Sequence, residues 1–234
     1  MNTYYTFARR ALSKLKKMFI PQKPANDLDK NYIKQLINKN NPVILEIGSA
    51  NGDDTSDFIK TFSDTDFRLY GFEPEPKNIK IIEEKISSEK FELFRGVVSD
   101  TDGELTFNRS RTDNPDDFSF SGSIMKPKNH LKLWDWIYFD ESIAVPSITL
   151  DTFCATKNIN TIDFIWCDVQ GAEERVIMGG KKTLETKVRF LFTEYSNDEQ
   201  YEGQPTLQRI LNLLPTFEVV RDDGKDVLLK NKNL

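Results

Sequence analysis

The chain has 234 residues, of which 38% are hydrophobic and 12% aromatic, as expected for one folded domain. The net charge is −5, and no apolar run approaches the ~20 residues of a membrane-spanning helix. Residues 1–20 hold five basic residues and no acid, and the rest of the chain has 27 basic and 37 acidic side chains, which argues against a nucleic-acid substrate.

Residues 1–24 are predicted to form a basic, amphipathic arm followed by a linker. Apolar side chains recur at helical spacing from Tyr4 to Ile20, with lysines and arginines between them. Such a helix suits an anionic membrane surface, but it equally suits packing against the domain or against a second copy of the chain. Pro21 and Pro24 end the arm, and Asp27 is predicted to cap the next helix.

From Val43 onward, predicted strands and helices alternate, which indicates a mostly parallel sheet with helices on both faces. The predicted strands are 43–47, 67–72, 91–98, 143–148, 162–168, 188–195 and an antiparallel pair at 217–221 and 226–230. The predicted helices are 53–62, 76–88, 172–180 and 205–214, with a short helix from Asp151. Residues 108–142 follow no period, so they are predicted to be an irregular substrate-binding segment within a domain spanning residues 25–234.

Two segments near the start of this domain have the features of a nucleoside site. The first predicted strand runs into a loop of the form E-x-G-x-x-x-G, and the second ends in Glu73. Glycines permit a tight turn beside a ligand, and an acid at the second strand's end accepts hydrogen bonds from ribose hydroxyls. The dinucleotide spacing G-x-G-x-x-G is absent, and Asp53 and Asp54 after the loop would repel a pyrophosphate, although they also suit a helix N-terminus. A nucleoside cofactor without phosphates, S-adenosylmethionine, is therefore predicted.

Four segments follow one another between residues 43 and 195. They are E-I-G-S-A-N-G-D-D-T, G-F-E-P-E-P-K-N, T-L-D-T-F and I-D-F-I-W-C-D-V-Q-G-A-E. This order resembles the FkbM family of S-adenosylmethionine-dependent methyltransferases, which commonly has K-I-D-V-E-G-A-E in the last segment. Trp166, Cys167 and Gln170 depart from that wording, so any role of the family's lysine or glutamate does not transfer. The resemblance implies an α/β fold of the class I methyltransferase type, Rossmann-like and mostly parallel, with an antiparallel last strand.

The resemblance also implies which residues hold the cofactor. The glycine loop would hold the methionine part, the end of the second strand the ribose, and the end of the third strand the adenine edge. These candidates are Glu46, Gly48, Ser49, Asn51 and Gly52, then Glu73 and Pro74, then Val98 and Ser99, with Asp168 also beside the cofactor. Carboxyl ends of parallel strands share one edge, so the polar residues at these ends are expected to converge on one cleft.

Three side chains are candidates for removing the proton of an acceptor hydroxyl. Asp168 and Glu194 end neighbouring predicted strands, and His130 is the chain's only histidine. One hypothesis makes Asp168 and Glu194 ligands of Mg²⁺ or Mn²⁺, with His130 above them; the other has no metal and uses His130 as the base. The metal-assisted version is favoured because two converging carboxylates beside a cationic cofactor suit a cation. Helix capping is the alternative role for Asp168.

The predicted reaction is O-methylation of a sugar hydroxyl in a glycan or polysaccharide. The sugar follows from the range of the resembled family and from an aromatic cluster interleaved with acids: Trp134, Trp136, Tyr138 and Phe139. Packing over the sheet is the competing explanation for these rings. A polyketide or lipid-linked acceptor is an alternative, and a nonenzymatic binding module with the cofactor fold is another.

The two cysteines, Cys154 and Cys167, are predicted to be buried free thiols. Buried thiols and the lack of a recognisable signal peptide favour a cytoplasmic protein. Contact with the membrane periphery, or a homo-oligomer, is expected if the N-terminal arm binds lipid or a second subunit.

Overall fold

The computed structural model describes residues 28–113 and 119–234. The arm and linker predicted over residues 1–24, and the cap predicted at Asp27, lie outside this part of the chain. The first described helix is capped instead by Asp29, whose side chain accepts from the Asn31 backbone N–H at 2.9 Å.

The helices and strands alternate along most of the described chain. The helices are α1 (Lys30–Ile37), α2 (Asp53–Thr61), α3 (Pro76–Lys85), α4 (His130–Leu133), α5 (Leu150–Thr156), α6 (Glu173–Gly179), α7 (Lys181–Lys187) and α8 (Leu207–Leu213). The strands are β1 (Val43–Ile47), β2 (Arg68–Glu73), β3 (Phe91–Arg95), β4 (Val97–Val98), β5 (Gly103–Thr112), β6 (Ile137–Ile148), β7 (Ile162–Cys167), β8 (Val188–Glu194), β9 (Phe217–Asp222) and β10 (Asp226–Asn231).

Seven strands form the main sheet in the order β3-β2-β1-β7-β8-β10-β9. Neighbours from β3 to β8 are parallel, whereas the last strand, β10, is antiparallel to both β8 and β9. The predicted mostly parallel sheet with an antiparallel last strand is confirmed. Strand order reverses between β1 and β7, which is where ligands bind in open sheets of this kind.

The sheet is buried on both faces, which explains why its central strands are nearly continuous apolar runs. Along β1, Ile44 belongs to one core with Phe58 and Phe164, whereas Leu45 belongs to the core on the opposite face. Alternate residues of a strand share a face, so Glu46 lies on the same side as Ile44. Burying each such aliphatic side chain stabilises the fold by about 1.5–3 kcal/mol.

The structure corrects two predicted segments. The strand predicted over 91–98 is interrupted at Gly96, where a Cβ would lie 2.3 Å from the Pro146 carbonyl oxygen. Strand β3 joins the main sheet, and β4 joins a second sheet of order β4-β6-β5. Residues 108–142 are irregular only in part, because β5 continues to Thr112 and pairs antiparallel with β6, which begins at Ile137.

Both cysteines are buried and free, as predicted. Burial raises the pKa of the Cys154 thiol to about 11, so this thiol is unreactive at neutral pH. Within the described ranges, no helix has both the length and the apolar character needed to cross a bilayer.

Candidate active site

A cleft opens at the carboxyl ends of β1, β2 and β7, where the strand order reverses. One wall comes from these strand ends and the turns after them: Gly48, Ala50, Glu73, Pro74, Glu75, Asn78, Val98, Asp168, Val169 and Gln170. The other wall comes from β5 and the segment after it: Phe107, Ser110, Ser119, Phe120, Gly122, Ser123 and Ile124. Among the described residues the lining has three acids and no lysine or arginine, so it suits a cationic ligand without phosphates.

The glycine loop after β1 brings the backbone close to the cleft. Gly48 has a φ of +97°, and a Cβ there would lie 1.9 Å from the Asp168 carbonyl oxygen, so only glycine fits. The backbone N–H groups of Gly48 and Ser49 both donate to the Phe72 carbonyl at 3.0 Å. Gly52, with a φ of +75°, ends the loop and begins α2. These contacts tie the loop to β2 and β7.

Two other residues predicted to bind the cofactor, Ser49 and Asn51, form hydrogen bonds with neighbouring residues of the chain. The Asn51 side chain accepts from the Asp53 backbone N–H at 3.2 Å and donates to the Asp53 carboxylate at 2.7 Å. Ser49 is buried and donates from Oγ to a carboxylate oxygen of Glu46 at 3.1 Å. Cofactor binding by Ser49 and Asn51 remains a prediction.

Glu46 lies beneath the loop and is not part of the cleft lining. It is fully buried, and its Oε2 accepts from the Thr55 and Ser49 hydroxyls, while Oε1 has no hydrogen-bond partner within the described residues. Burial raises the pKa of this carboxyl to about 8. The structure therefore shows Glu46 supporting the loop from below, and its predicted contact with the methionine part stays a prediction.

Glu73 lines the cleft at the end of β2. Its Oε2 accepts from the Ala50 backbone N–H at 2.8 Å, and its Oε1 accepts from the Glu75 backbone N–H at 3.0 Å and the Asn78 side chain at 3.1 Å. A carboxylate has about four acceptor positions, so about one remains, on Oε2. Burial raises the pKa of Glu73 to about 7 despite these donors. This geometry fits a ribose hydroxyl that donates to Oε2.

The end of the third predicted strand lies at the same cleft. Val98 lines it beside Pro74, whereas Ser99 is fully buried and donates to the Asp100 carboxylate at 3.2 Å. The Ser99 backbone N–H donates to the Ile148 carbonyl at 3.0 Å, which ties this strand end to the second sheet.

Asp168 follows β7 and faces the cleft, and its backbone N–H donates to the Ile47 carbonyl at 2.9 Å. The Gln170 side-chain amide donates to its Oδ1 at 2.7 Å. Burial is the main cause of raised pKa values at Glu173 (about 7), Glu194 and Asp226 (about 6), and the Asp168 charge raises each further. Asp168 therefore lies at the cleft with three acids of raised pKa near it.

The predicted metal arrangement is not present in the structure. Within residues 28–113 and 119–234, no group of three or more histidine, cysteine, aspartate or glutamate side chains is arranged to hold a metal ion. Glu194 interacts electrostatically with Asp168 but does not line the cleft. The structure thus places the Asp168 and Glu194 carboxylates near each other without a third ligand from His130, and their catalytic roles stay predictions.

His130 lies outside the cleft lining, in a group of aromatic rings. Its ring centroid is 5.3 Å from that of Phe139 and 5.4 Å from that of Tyr201, and its Nδ1 has no hydrogen-bond partner within the described residues. Burial lowers its pKa to about 4, which makes it a weak base. Its catalytic role stays a prediction without geometric support.

The predicted aromatic cluster packs away from the cleft. Trp134 and Trp136 meet edge to face at 5.4 Å, and Phe139 packs on Tyr201. Phe120 is the aromatic side chain at the cleft with substantial exposure, 44%. Phe120 lies in the segment predicted to bind substrate, but the sequence there has no hydrophobic periodicity that would identify this residue as part of the cleft.

Two further residues at the cleft, Asn78 and Gln170, were not predicted from the sequence. Asn78 ends the F-E-P-E-P-K-N motif, and its donation to Glu73 explains that asparagine. Gln170 appeared only as a departure from the resembled family's glutamate. In both cases the available signal was that the residue belongs to a recognised motif but has no obvious chemical role in it.

A cleft of this position, with a tight glycine turn at Gly48, a buried carboxylate at Glu73 and no basic side chain in its described lining, is typical of S-adenosylmethionine-dependent methyltransferases of the class I fold. The chain belongs to the methyltransferase FkbM domain family, whose profile matches residues 46–225. The predicted family and the predicted enzyme class are confirmed.

Individual relatives agree with this assignment. The chain is 42% identical over 220 residues to the 2-O-methyltransferase NoeI of Sinorhizobium fredii, covering 91% of this chain and 89% of that protein. Among solved structures, the methyltransferase FkbM from Methylobacillus flagellatus KT matches 82% of this chain with a TM-score of 0.50 and 12% identity. The chain spans 44% of that protein's length, and this likeness concerns the fold alone.

Proposed function

We propose that this enzyme transfers a methyl group from S-adenosylmethionine to a sugar hydroxyl of a glycan or polysaccharide, the hydroxyl at position 2. The name of the 42% identical relative, a 2-O-methyltransferase, supports transfer to oxygen at that position. The observation that carries the proposal is the Asp168 carboxylate in the cleft, at the end of β7 and beside the glycine loop.

Three cleft residues have defined tasks in the proposed reaction. Bound S-adenosylmethionine supplies a methyl group on a positively charged sulfur, an electrophile that a hydroxyl oxygen can attack. Glu73 accepts from the ribose, and the Gly48 backbone leaves room for the cofactor's tail. Asp168 accepts the proton of the acceptor hydroxyl, which is a weak acid and a poor nucleophile while protonated.

Asp168 is preferred to a metal ion in this role because the described carboxylates and histidine form no metal-binding group. The proposal therefore expects full activity after exhaustive chelation. Loss of activity in EDTA, restored by Mg²⁺ or Mn²⁺, would favour the metal-assisted version.

The test is methyl transfer from radiolabelled S-adenosylmethionine to a panel of neutral, acidic and amino-sugar oligosaccharides. We expect label in at least one sugar, with nuclear magnetic resonance assigning it to O2. Asp168→Asn should lower kcat by about 100- to 10,000-fold, the usual contribution of a general base. Asp226→Asn, which removes a neighbouring acid outside the cleft lining, is the matched control and should lower kcat far less.

Transfer to polyketide or lipid-linked hydroxyls, with no labelled sugar, would replace the proposed acceptor. Unchanged kcat in Asp168→Asn would refute the assigned base. A cytoplasmic location, and membrane or subunit contact through residues 1–24, also remain proposals. Co-sedimentation with anionic vesicles and solution mass, each measured with and without residues 1–20, would decide between lipid and subunit contact.

A further inference from the structure

The turn that follows β7 is unusual in its backbone. Gln170 has a φ of +54° and Gly171 a φ of +90°, so two consecutive residues are left-handed. Glutamine rarely adopts this conformation, and it persists where surrounding contacts hold it in place. Gln170 also lines the cleft. A strained residue at a reaction site calls for a functional explanation.

The Gln170 side chain is held at both ends. Its Nε2 donates to Asp168 Oδ1 at 2.7 Å, and its Oε1 lies 3.2 Å from the Tyr201 hydroxyl. The same hydroxyl lies 2.7 Å from the Ser121 carbonyl oxygen, and its single proton serves these two acceptors. With a hydroxyl donor facing Oε1, the amide N–H faces the carboxylate.

Tyr201 is itself fixed in place. It is 1% exposed, and a Cβ on Gly171 would lie 2.7 Å from the Tyr201 Cβ, so the glycine allows direct contact between the turn and this tyrosine. Burial raises the pKa of the Tyr201 hydroxyl, which therefore stays protonated and remains a donor. The chain Tyr201–Gln170–Asp168 thus runs from the buried interior to the cleft.

We propose that Gln170 is a positioning residue of the transfer reaction, one that fixes the Asp168 carboxylate toward the acceptor hydroxyl and is oriented in turn by Tyr201. This inference rests on the proposed function, because it takes Asp168 as the group that receives the proton. An amide donor favours the ionised carboxylate, which is the form that can accept a proton.

A glutamate at this position, as is common in the resembled family, would act differently. It has no donor for Asp168 when ionised, and it adds a negative charge beside an acid that already interacts with Glu173, Glu194 and Asp226. Two adjacent negative charges repel each other, so a pair of neighbouring carboxylates retains a proton that a single carboxylate would release. The glutamine therefore places a hydrogen-bond donor beside Asp168 where a glutamate would place a second negative charge.

The experiment compares three variants with the wild-type enzyme, using labelled S-adenosylmethionine and the panel sugar that the wild type methylates best. Gln170→Met removes the amide at similar size, Gln170→Glu replaces it by a carboxylate, and Tyr201→Phe removes the orienting hydroxyl. Gln208→Met is the matched control, because Gln208 is exposed on α8 and bonds only to Asn212 among the described contacts.

We expect Gln170→Met to lower kcat about 10- to 100-fold, the effect of losing a hydrogen bond to a charged group, with KM for S-adenosylmethionine nearly unchanged. Gln170→Glu should move the acidic limb of the kcat/KM profile to higher pH. Tyr201→Phe should lower kcat in the same direction by a smaller factor, and Gln208→Met should match the wild type. Wild-type kcat in a folded Gln170→Met enzyme, or an unmoved acidic limb in Gln170→Glu, would overturn the proposal.

A second measurement needs no acceptor. In protein labelled with ¹³C at aspartate carboxyls, the Asp168 signal, assigned by its loss in Asp168→Asn, should titrate at higher pH in Gln170→Glu than in the wild type. If no sugar is methylated but this shift occurs, the proposed acceptor fails and the positioning contact stands. If sugars are methylated and neither the rate nor the signal responds, the positioning role fails alone.

Discussion

At the scale of single residues, chemistry at strand ends was predictable and burial was not. Gly48 and Glu73 were identified because a close backbone approach and a ribose acceptor require those residue types. Glu46 sits in the same motif but points beneath the loop, since alternate residues of β1 face opposite sides of the sheet. His130 was chosen by its chemical type alone, and only packing shows that its ring is buried among aromatic rings.

Glu73 makes cofactor binding depend on pH. Its pKa is raised to about 7, and the proposed function has a ribose hydroxyl donate to the ionised form. Affinity for S-adenosylmethionine should therefore rise as pH increases through 7 and level off above it, with up to about tenfold weakening per unit below that pH. Calorimetric titration from pH 5.5 to 8.5 measures this.

Glu73→Gln should bind at least ~1.5 kcal/mol more weakly at pH 8 and lose this pH dependence. Glu84→Gln, an exposed change on α3, is the control. An unaltered pH dependence in Glu73→Gln would show that another group is responsible.

At the scale of elements, the central strands of the main sheet were predicted almost in full, whereas the second sheet was predicted only in part, at residues 143–148. Strands β1, β7 and β8 are apolar on both faces, so their sequences stand out, and their ends were predicted to within one or two residues. Strands β5 and β6 mix polar and apolar side chains and are exposed or only partly buried over most of their length, with Phe107 and Val145 among their few buried residues. A hairpin held by backbone pairing and surface ion pairs has no regular alternation of buried and exposed residues, so its full extent cannot be predicted from the sequence.

One ion pair joins this hairpin to the cofactor side of the cleft. Arg109 on β5 binds both carboxylate oxygens of Glu75, at 2.8 and 2.6 Å, and also contacts Glu141 at 2.9 Å. Arg109→Met should loosen the hairpin by about 1 kcal/mol, because the pair is two-pronged and partly buried. We expect faster amide hydrogen exchange in β5 and β6 and a several-fold higher KM for the acceptor.

Arg111→Met provides the control, since Arg111 lies on the same strand and pairs with Asp140 in an exposed position. Equal exchange rates in the two variants would mean that the contact with Glu75 has no special role.

At the scale of the whole molecule, buried acids around the cleft set the pH range of stability. Burial raises the pKa values of Glu46, Glu73, Glu173, Glu194 and Asp226 above their usual values. The folded state therefore binds protons that the unfolded state has released, so stability is greatest near pH 4–5 as far as these groups are concerned. It declines as pH rises toward 8.

Glu46 gives the clearest test, because its pKa of about 8 lies far above the usual value of 4.5 for a glutamate and because it lies outside the cleft lining. Between pH 5 and 8 the wild type should lose on the order of 2–4 kcal/mol of unfolding free energy through this group. Glu46→Gln should show a correspondingly flatter dependence in urea denaturation. A wild-type curve that rises over this range would contradict the assignment.

Gly103 at the start of β5 pairs with Ser147 near the end of β6, so the two ends of this hairpin lie side by side. The segment between these two residues has both of its ends fixed to each other, so a change of length in its exposed parts costs little free energy. Insertions, deletions and drift within it reshape one wall of the cleft while Gly48, Glu73 and Asp168 keep their spacing. If this wall binds the acceptor, as the proposed function expects, substitutions within residues 103–147 would change acceptor choice without altering the glycine loop or Glu73.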